Sequence, residues 1–551
     1  MGPVGSGAGT LLEALGHRVA YGSVSGEVRI GKRDLLPNDV SYVTEVDEVN
    51  PNLTVFEQIE FVGLMKCYNH KAMHLRLDNI LKLLGIAKKS GVKCSKLSRV
   101  QVKKVGIAIG MINSPSVLLL DNPTTTLDSV AAMSILQCLS DIAHVMNAVV
   151  LMTIHTPSGM VFELLQDLYV LSAGKLAYSG PASCVEQYFR DLGHNCPPRT
   201  CQSDFFIDLL TRSPMYQNAP WHLIYNNSNF GKNMRLRIIV FDEASSSSHS
   251  PLNPPEWPTK MRYAVLYFLR YYLKDRAFYP RRLLLLVAIA LFNGTLFMGL
   301  TRETLKLPMF IGAITHSIWG VLLSTVGATC LYIRDRKLAV EMAKSATAYP
   351  AIYCSAQFIA SVPFNLLCAA LFQGLFYLIT NIDDFSSTYI YTTLLQCGNL
   401  MLMEALLLCT VQIMKNAELS SLFSTVLLVF LYLFSGFFVP VGRTSVWIQW
   451  VCFLCPTRYA YEGYLHSILD NTQFYIDSTG GYLPGERVAS MLDPRQDTSP
   501  YFNLLVLACT VLLVRAVHYL LFLRQVWPYL PSTRRRPDRR TSPTEGMVTS
   551  D

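Results

Sequence analysis

The chain has 551 residues, 51% of them hydrophobic and 16% charged, with a formal net charge of +8 at pH 7. So little charge excludes a wholly soluble protein, and because the long apolar runs all lie in the second half, the composition divides the chain into a soluble domain followed by a membrane domain. The basic excess sits at the ends of apolar runs and in the tail "RRRPDRR", with no basic patch interleaved with aromatics, so nucleic acid is excluded as a partner and an anionic membrane surface is favoured.

In chain order the first feature is "GPVGSGAGT" (2–10). A phosphate loop has the form G-x-x-x-x-G-K-[S/T]: glycines let backbone N–H groups surround a phosphate, lysine neutralises its charge and the hydroxyl holds Mg²⁺. Gly2 and Gly7 keep the spacing, but Ala8 stands for the lysine and Gly9 for the hydroxyl residue, with Thr10 one place late. Alone, this stretch reads equally as a glycine-rich tail. Strands are expected at 40–45, 116–121 and 148–155, helices at about 54–66, 71–86, 98–112 and 129–146, and a hairpin over 167–180 turning at Ala173-Gly174. Strands alternating with helices imply an α/β domain. Residues 213–257, with "SSSSHSP" and several prolines, read as a mobile linker.

The stretch 258–282 is amphipathic and basic, as suits a helix lying at the membrane surface. Apolar runs follow at 283–300, 310–333, 352–380, 389–412, 419–440 and 503–523, each near or above the roughly 20 residues that cross a bilayer. Six crossings return the C-terminus to the side of the N-terminus. Arg281, Arg282, "RDRK" (334–337), Lys415 and Arg524 put both ends in the cytosol, including the basic tail 526–551. The opening residues lack the pattern of a signal peptide, so the N-terminus is expected to stay in the cytosol. The long outer connection 441–502 carries Arg443, Arg458 and Arg487 against that count, and long loops weigh little in it. The 14 cysteines show no zinc spacing; Cys452 and Cys455, on the outer side, fit either a disulfide or two buried thiols.

Three further pieces carry chemistry. In "LLLDNPTTTLDS" (118–129) a buried strand ends in Asp121, the way a nucleotidase presents a carboxylate to Mg²⁺. "TIHTP" (153–157) ends the next strand and places His155 to contact a γ-phosphate; a lone histidine is usually structural, and order and spacing are its support. "LSRVQ" (97–101) opens a helix just before the Asp121 strand.

Together with "NPNLTVFEQIEF", "YFRDLGHNCPPRTCQSDFFIDLL" (188–210), "YLFSGFFVP" and "CPTRYAYEGYL", these pieces resemble half-transporters of the ATP-binding cassette family, G subfamily, which includes sterol, pigment-precursor and multidrug exporters. The resemblance runs through most of the chain. It implies an α/β P-loop NTPase-type cassette domain over 1–212, incomplete at its start, followed by an all-α six-helix transmembrane domain over 283–525. ATP and Mg²⁺ are the implied cofactors. The implied partners are a second half-transporter, the lipid bilayer and a lipophilic small molecule.

By the same resemblance Gly2, Gly5, Gly7, Ala8, Gly9 and Thr10 lie at Walker A positions, and Glu45 at the metal-contacting glutamine of the Q-loop. Ser98 and Gln101 lie in the signature, where Arg99 and Val100 replace two glycines. Asp121 lies in Walker B, Asn122 at the catalytic glutamate, Asp128 in the D-loop and His155 in the H-loop. An amide at 122 orients water but takes no proton at neutral pH. The family's nucleotide sites form between two domains, so Ala8 and Asn122 damage one composite site while Ser98 can still serve a partner's ATP. A heterodimer with one working site is therefore favoured over a homodimer. The competing reading is a pseudo-transporter that binds or regulates an active partner. The family's strands before Walker A have no room ahead of Met1, so an exposed sheet edge is expected. Within the spans, Glu404 is a candidate pathway residue, Glu341 is expected beside Lys344 at the cytoplasmic end of the third span, and Phe437-Phe438 are expected near the translocation axis by analogy.

Overall fold

The computed structural model describes the chain except residues 20, 21, 23, 31, 32, 38, 46–48, 67–69, 213, 214, 217, 218, 245–254, 276–278, 300–305, 346–348, 381–386, 439–444, 470, 471, 477–480, 493–499 and 530–551. Two units result. The first comprises Met1–Lys260, Glu341–Ala348 and Trp527–Asp551; the second comprises Met261–Val340 and Tyr349–Val526.

The first unit begins with α1 (Ala8–Leu15), the short hairpin β1 (Arg29–Ile30) and β2 (Arg33–Asp34), and then β3 (Val40–Val43), α2 (Val55–Lys66), α3 (His70–Leu83), α4 (Arg99–Met111), β4 (Val117–Leu120), α5 (Ser129–Met146) and β5 (Val149–Met152). β3, β4 and β5 form one parallel sheet in that order. Leu118, Leu119 and Leu120 are all buried, as a central parallel strand covered on both faces requires. In register Val43 pairs with Leu120, and Leu120 with Met152, so the residues that follow, Thr44, Asp121 and Thr153, emerge side by side at the carboxyl edge. That edge is where open α/β sheets bind ligands.

The chain continues through α6 (Gly159–Phe162), β6 (Asp167–Ser172), β7 (Lys175–Pro181), α7 (Val185–Asp191) and α8 (Gln202–Arg212). The expected hairpin forms as β6–β7, with Ala173 and Gly174 at φ 48° and 76° supplying its tight turn. It stands as a sheet of its own. Met1 lies beside it in a parallel sense: its amino group donates to the Tyr169 carbonyl at 2.8 Å and Leu171 N donates to the Met1 carbonyl at 2.9 Å. The outer edge of β5 is exposed at Val149.

One expectation fails here. The stretch read as a linker from 213 carries the small hairpin β8 (Met215–Tyr216) and β9 (Ala219–Pro220) and two helices, α9 (Trp221–Asn227) and α10 (Asn229–Ala244). Trp221 and Tyr225 are buried against the β6–β7 hairpin, with Tyr225 OH donating to the Ser179 carbonyl at 2.7 Å. Tertiary burial of two aromatics outweighs a polar composition. Residues 245–254 of the expected linker lie outside the described residues.

The second unit takes up α11 (Trp257–Lys274) from Met261 and runs through α12 (Tyr279–Leu296), α13 (Leu307–Val326), α14 (Thr329–Lys344, whose last turn from Glu341 belongs to the first unit), α15 (Pro350–Thr380), α16 (Ser387–Met414), α17 (Ala417–Leu433), α18 (Val446–Leu454), α19 (Pro456–Leu469), β10 (Gln473–Ile476), β11 (Gly481–Pro484), α20 (Gly485–Leu492) and α21 (Pro500–Val526). Among the described residues α15, α16 and α21 are each long and apolar enough to cross a bilayer, α11 with α12 qualifies as a broken pair, and α17 is a shorter apolar helix. α5 also passes on composition, but its Ile135, Leu136 and Leu139 are buried within the α/β unit.

The run expected at 310–333 is two helices, α13 and α14, meeting at Gly327-Ala328 just ahead of the charged "RDRK". The run expected at 419–440 stops being helical at Leu433, before Gly436 at φ 103°. Phe437 packs toward Tyr461 of α19 while Phe438 stays exposed. Cys452 and Cys455 are buried free thiols, so the disulfide alternative falls; Cys455 Sγ donates to the Leu431 carbonyl at 3.5 Å. Arg443 and the tail from residue 530 lie outside the described residues.

Candidate functional site

The glycine-rich start is a structured loop. Ser6 N donates to the Pro3 carbonyl at 2.9 Å and Gly174 N to the Ser6 carbonyl at 3.1 Å, closing the loop and pinning it to the β6–β7 turn. Gly7 caps α1 in the left-handed region at φ 90°, and no side chain caps the helix. The first N–H groups of α1, from Ala8 onward, therefore lack intrahelical partners, which is the arrangement that receives a phosphate. Gly2 is constrained by something else: a Cβ there would lie 2.3 Å from the Leu171 carbonyl oxygen.

Asp121 faces this helix across a cavity of about 370 Å³ lined by Thr10, Glu13, Arg18, Tyr42, Thr44 and Asp121 among others. Thr153 Oγ1 donates to Asp121 Oδ1 at 2.8 Å and accepts from Asn122 N at 2.9 Å. Tyr42 OH donates to Asp121 Oδ2 at 3.1 Å. Burial first, and then the Asp121 carboxylate, push the Tyr42 phenol well above its ordinary value, so it keeps its proton and stays a donor. The Arg18 guanidinium lies over the Tyr42 ring, 4.4 Å from its centroid, and pairs with Glu341 of the same unit. Glu341 is also 3.9 Å from Lys344, the neighbour expected for it.

Asn122 is buried in the left-handed region at φ 42°, a conformation asparagine tolerates, and its side-chain Oδ1 has no protein partner among the described residues. His155 is exposed beyond the end of β5. Glu45 is exposed, and its backbone oxygen accepts from Lys103 Nζ.

The signature pair has a local task. Gln101 N donates to Ser98 Oγ at 3.4 Å and Ser98 N to Gln101 Oε1 at 3.1 Å, a capping box that starts α4. Asp128 likewise caps α5, accepting from Ala131 N at 2.8 Å. Neither Ser98, Gln101 nor Asp128 lines the cavity. The fold thus brings the loop helix and Asp121 to one cavity, keeps Asn122 buried beside Asp121 but outside the cavity lining, and leaves Ser98, Gln101 and Asp128 at the starts of neighbouring helices and Glu45 and His155 exposed.

The residues present fit a nucleotide in part. Loop backbone and helix N-terminus suit a phosphate. Asp121 with the Thr10 hydroxyl suits a divalent ion that keeps most of its ligands from water and phosphate, and no cluster of three metal-ligating side chains is needed or found among the described residues. Ala8 and Gly9 carry no side-chain donor, and the Asn122 side chain carries no base.

Thr153, Tyr42 and Arg18 join the site without being among the candidate site residues named from the sequence, although Thr153 opens "TIHTP". A hydroxyl at the end of the strand beside Asp121 was the available signal for the first. Thr153→Val should leave Asp121 Oδ1 and Asn122 N without this partner. The expected cost is about 1–3 kcal/mol, read as a lowered thermal midpoint of the first unit's transition, with weaker Mg²⁺-dependent nucleotide labelling. An unchanged midpoint would show that water replaces the hydroxyl at no cost.

Residues 1–125 match the family described as ABC transporter, and residues 264–469 and 155–219 match two families described as ABC-2 type transporter. The chain is 24% identical to ABC transporter G family member 12 of Dictyostelium discoideum, over 82% of this chain and 72% of that protein. It is 23% identical to the broad substrate specificity ATP-binding cassette transporter ABCG2 of Rattus norvegicus, over 95% of this chain and 88% of that one. Against ABC transporter G family member 3 of Dictyostelium discoideum the identity is 27%, over 87% of this chain and 36% of the relative.

Proposed function

The chain belongs to the G family of ATP-binding cassette transporters, and from that premise we propose that it is one half of a heterodimer that moves a lipophilic compound, with its own nucleotide site able to hold ATP and badly equipped to split it. The family is one of ATP-driven, multi-pass membrane transporters whose half-transporters act as dimers. The finer reading rests on one observation above the rest. Asn122, an amide, follows Asp121 at the position where the resemblance implies the family's catalytic glutamate, and the helix across the cavity from Asp121 begins Ala8-Gly9.

Asp121 would hold Mg²⁺, and the α1 N–H groups would hold the phosphates. ATP with Mg²⁺ supplies the driving free energy when bound at a complete site. Loss of one charge-assisted phosphate contact weakens binding by roughly 1.5–3 kcal/mol, so loose binding is the expectation and hydrolysis suffers more. Both termini are assigned to the cytosol by the basic residues flanking the spans. The lipophilic cargo is the substrate class that the resemblance implies, with the aromatic- and Met-rich spans as its support in the sequence, although such aromatics usually pack or face lipid. The capping box favours a second reading, a non-transporting regulatory partner, because both signature side chains are engaged locally.

The test is vanadate-sensitive ATP turnover in the complex recovered with a tagged full chain, with every co-purifying chain identified. Turnover together with a second cassette protein supports the one-site transporter. Absence of turnover from every recovered complex removes the powered reading and leaves the regulatory one.

A further inference from the structure

Glu404 lies in the middle of α16 and is 3% exposed; Arg515, on α21, is 8% exposed. Arg515 Nη2 donates to Glu404 Oε1 at 2.9 Å, and Asn365 Nδ2, on α15, donates to Glu404 Oε2 at 2.8 Å. Both oxygens of one buried carboxylate are thus held from two other helices. The Arg515 guanidinium also lies over the Phe358 ring of α15, 5.1 Å from its centroid. Its Nε and Nη1 have no protein partner among the described residues, so Glu404 is the group that compensates its charge.

The packing around this cluster is close. Cys409 Sγ donates to the Val514 carbonyl at 3.6 Å, and a Cβ on Gly398 would meet Leu507 Cδ2 at 2.6 Å, so α16 and α21 touch both above and below the ion pair. The opposite side of α16 is different. Its seam with α13 and α17 holds a cavity of about 20 Å³ lined by Thr325, Met403, Leu406, Ser424 and Leu427 among others. Apart from the Ser424–Thr410 hydroxyl bond at 2.8 Å, the side chains at that cavity are mostly apolar, including a flexible methionine.

Charges this deep in a membrane unit persist only when paired, and removing one partner leaves the other uncompensated. A carboxylate held from two helices resists sliding of any one of the three. The seam with α13 and α17 is crossed by hydrogen bonds between neutral groups, Ser424–Thr410 and Gln396 Nε2 to the Ile318 carbonyl at 3.4 Å, and by no ion pair among the described residues, so it resists sliding less. We propose that Glu404, Arg515 and Asn365 form a clasp that makes α15, α16 and α21 one body, and that conformational change in this unit takes place along the seam with α13 and α17. The use of that motion in transport rests on the function proposed above; the clasp itself does not.

The full chain in lipid nanodiscs without nucleotide tests it, with Glu404→Gln, Arg515→Met and the double variant. Each single variant should lower the thermal midpoint by about 5 °C or more, and the double variant by less than the sum of the two. Hydrogen exchange in Glu404→Gln should rise several-fold in peptides from α15, α16 and α21 alike. Additive midpoints, or a rise confined to α16, would overturn the clasp. If a single variant does not fold, the double variant, which leaves no charge at this cluster, still decides: recovery of a folded chain supports the coupling and failure to recover one overturns it. None of these readouts requires ATP turnover, so a chain that powers no transport leaves them standing, and loss of the clasp leaves the nucleotide reading standing.

Discussion

Ala8→Lys, Gly9→Ser and Asn122→Glu introduced together should raise ATP turnover by about 100-fold or more over background in a complex whose second cassette protein has lost its own catalytic glutamate. The magnitude follows from what the three side chains add. A charged or hydrogen-bonding group aimed at the transferring phosphoryl supplies about 10²–10³ in rate, and a positioned base about 10²–10⁴. The loop is already shaped for the change: Gly7 caps α1 at φ 90°, and α1 faces the Asp121 cavity. The partner must be present because its signature segment completes the rebuilt site. Adding Asp121→Asn to the triple variant should return turnover to background. A triple variant that binds nucleotide and still does not turn over would mean that the catalytic defect lies outside these three positions.

The converse experiment has an effect of the same size. In the complex with the unmodified chain, replacing the partner's catalytic glutamate should lower turnover by about 100-fold or more, whereas Asn122→Ala should change it less than about two-fold, since a group that takes no proton has little catalysis to lose. Loss of turnover with Asn122→Ala comparable to that with the partner's variant would show that both sites work and would end the one-site account. Turnover that persists when the partner's glutamate is gone would do the same.

Both experiments depend on elements that differed in how plainly they could be read. The α/β order was legible because strands and helices differ in the period of their apolar residues. "VLLL" has no period of its own, but its shortness and the flanking Pro115 and Pro123 favour a buried strand, and it is the middle strand of the parallel sheet. The β6–β7 turn was legible because Ala173-Gly174 is a two-residue connection between apolar runs. The region after 213 was not, because its polar composition hides Trp221 and Tyr225, whose burial depends on a hairpin about forty residues earlier. The break at Gly327 was also hidden, since an apolar run does not record where its helix turns away from a straight course.

The candidate site divides along the same line. Sequence by itself determined which side chains are present: Asp121 after a buried strand, Ala8 and Asn122 where the resemblance implies a lysine and a glutamate, and the capping pattern Ser98–Gln101. These are local facts, legible because side-chain identity and near-neighbour spacing set them. Only the tertiary structure decided that Thr153 and Tyr42 grip the two oxygens of Asp121, that Arg18 stacks on Tyr42, and that Glu404 is clasped by Arg515 rather than facing an open pathway. The physical reason is distance along the chain. Arg515 and Glu404 are 111 positions apart, and Thr153 and Asp121 are 32. The energy of a buried carboxylate depends on which groups the fold carries to it, and no periodicity in the sequence records that.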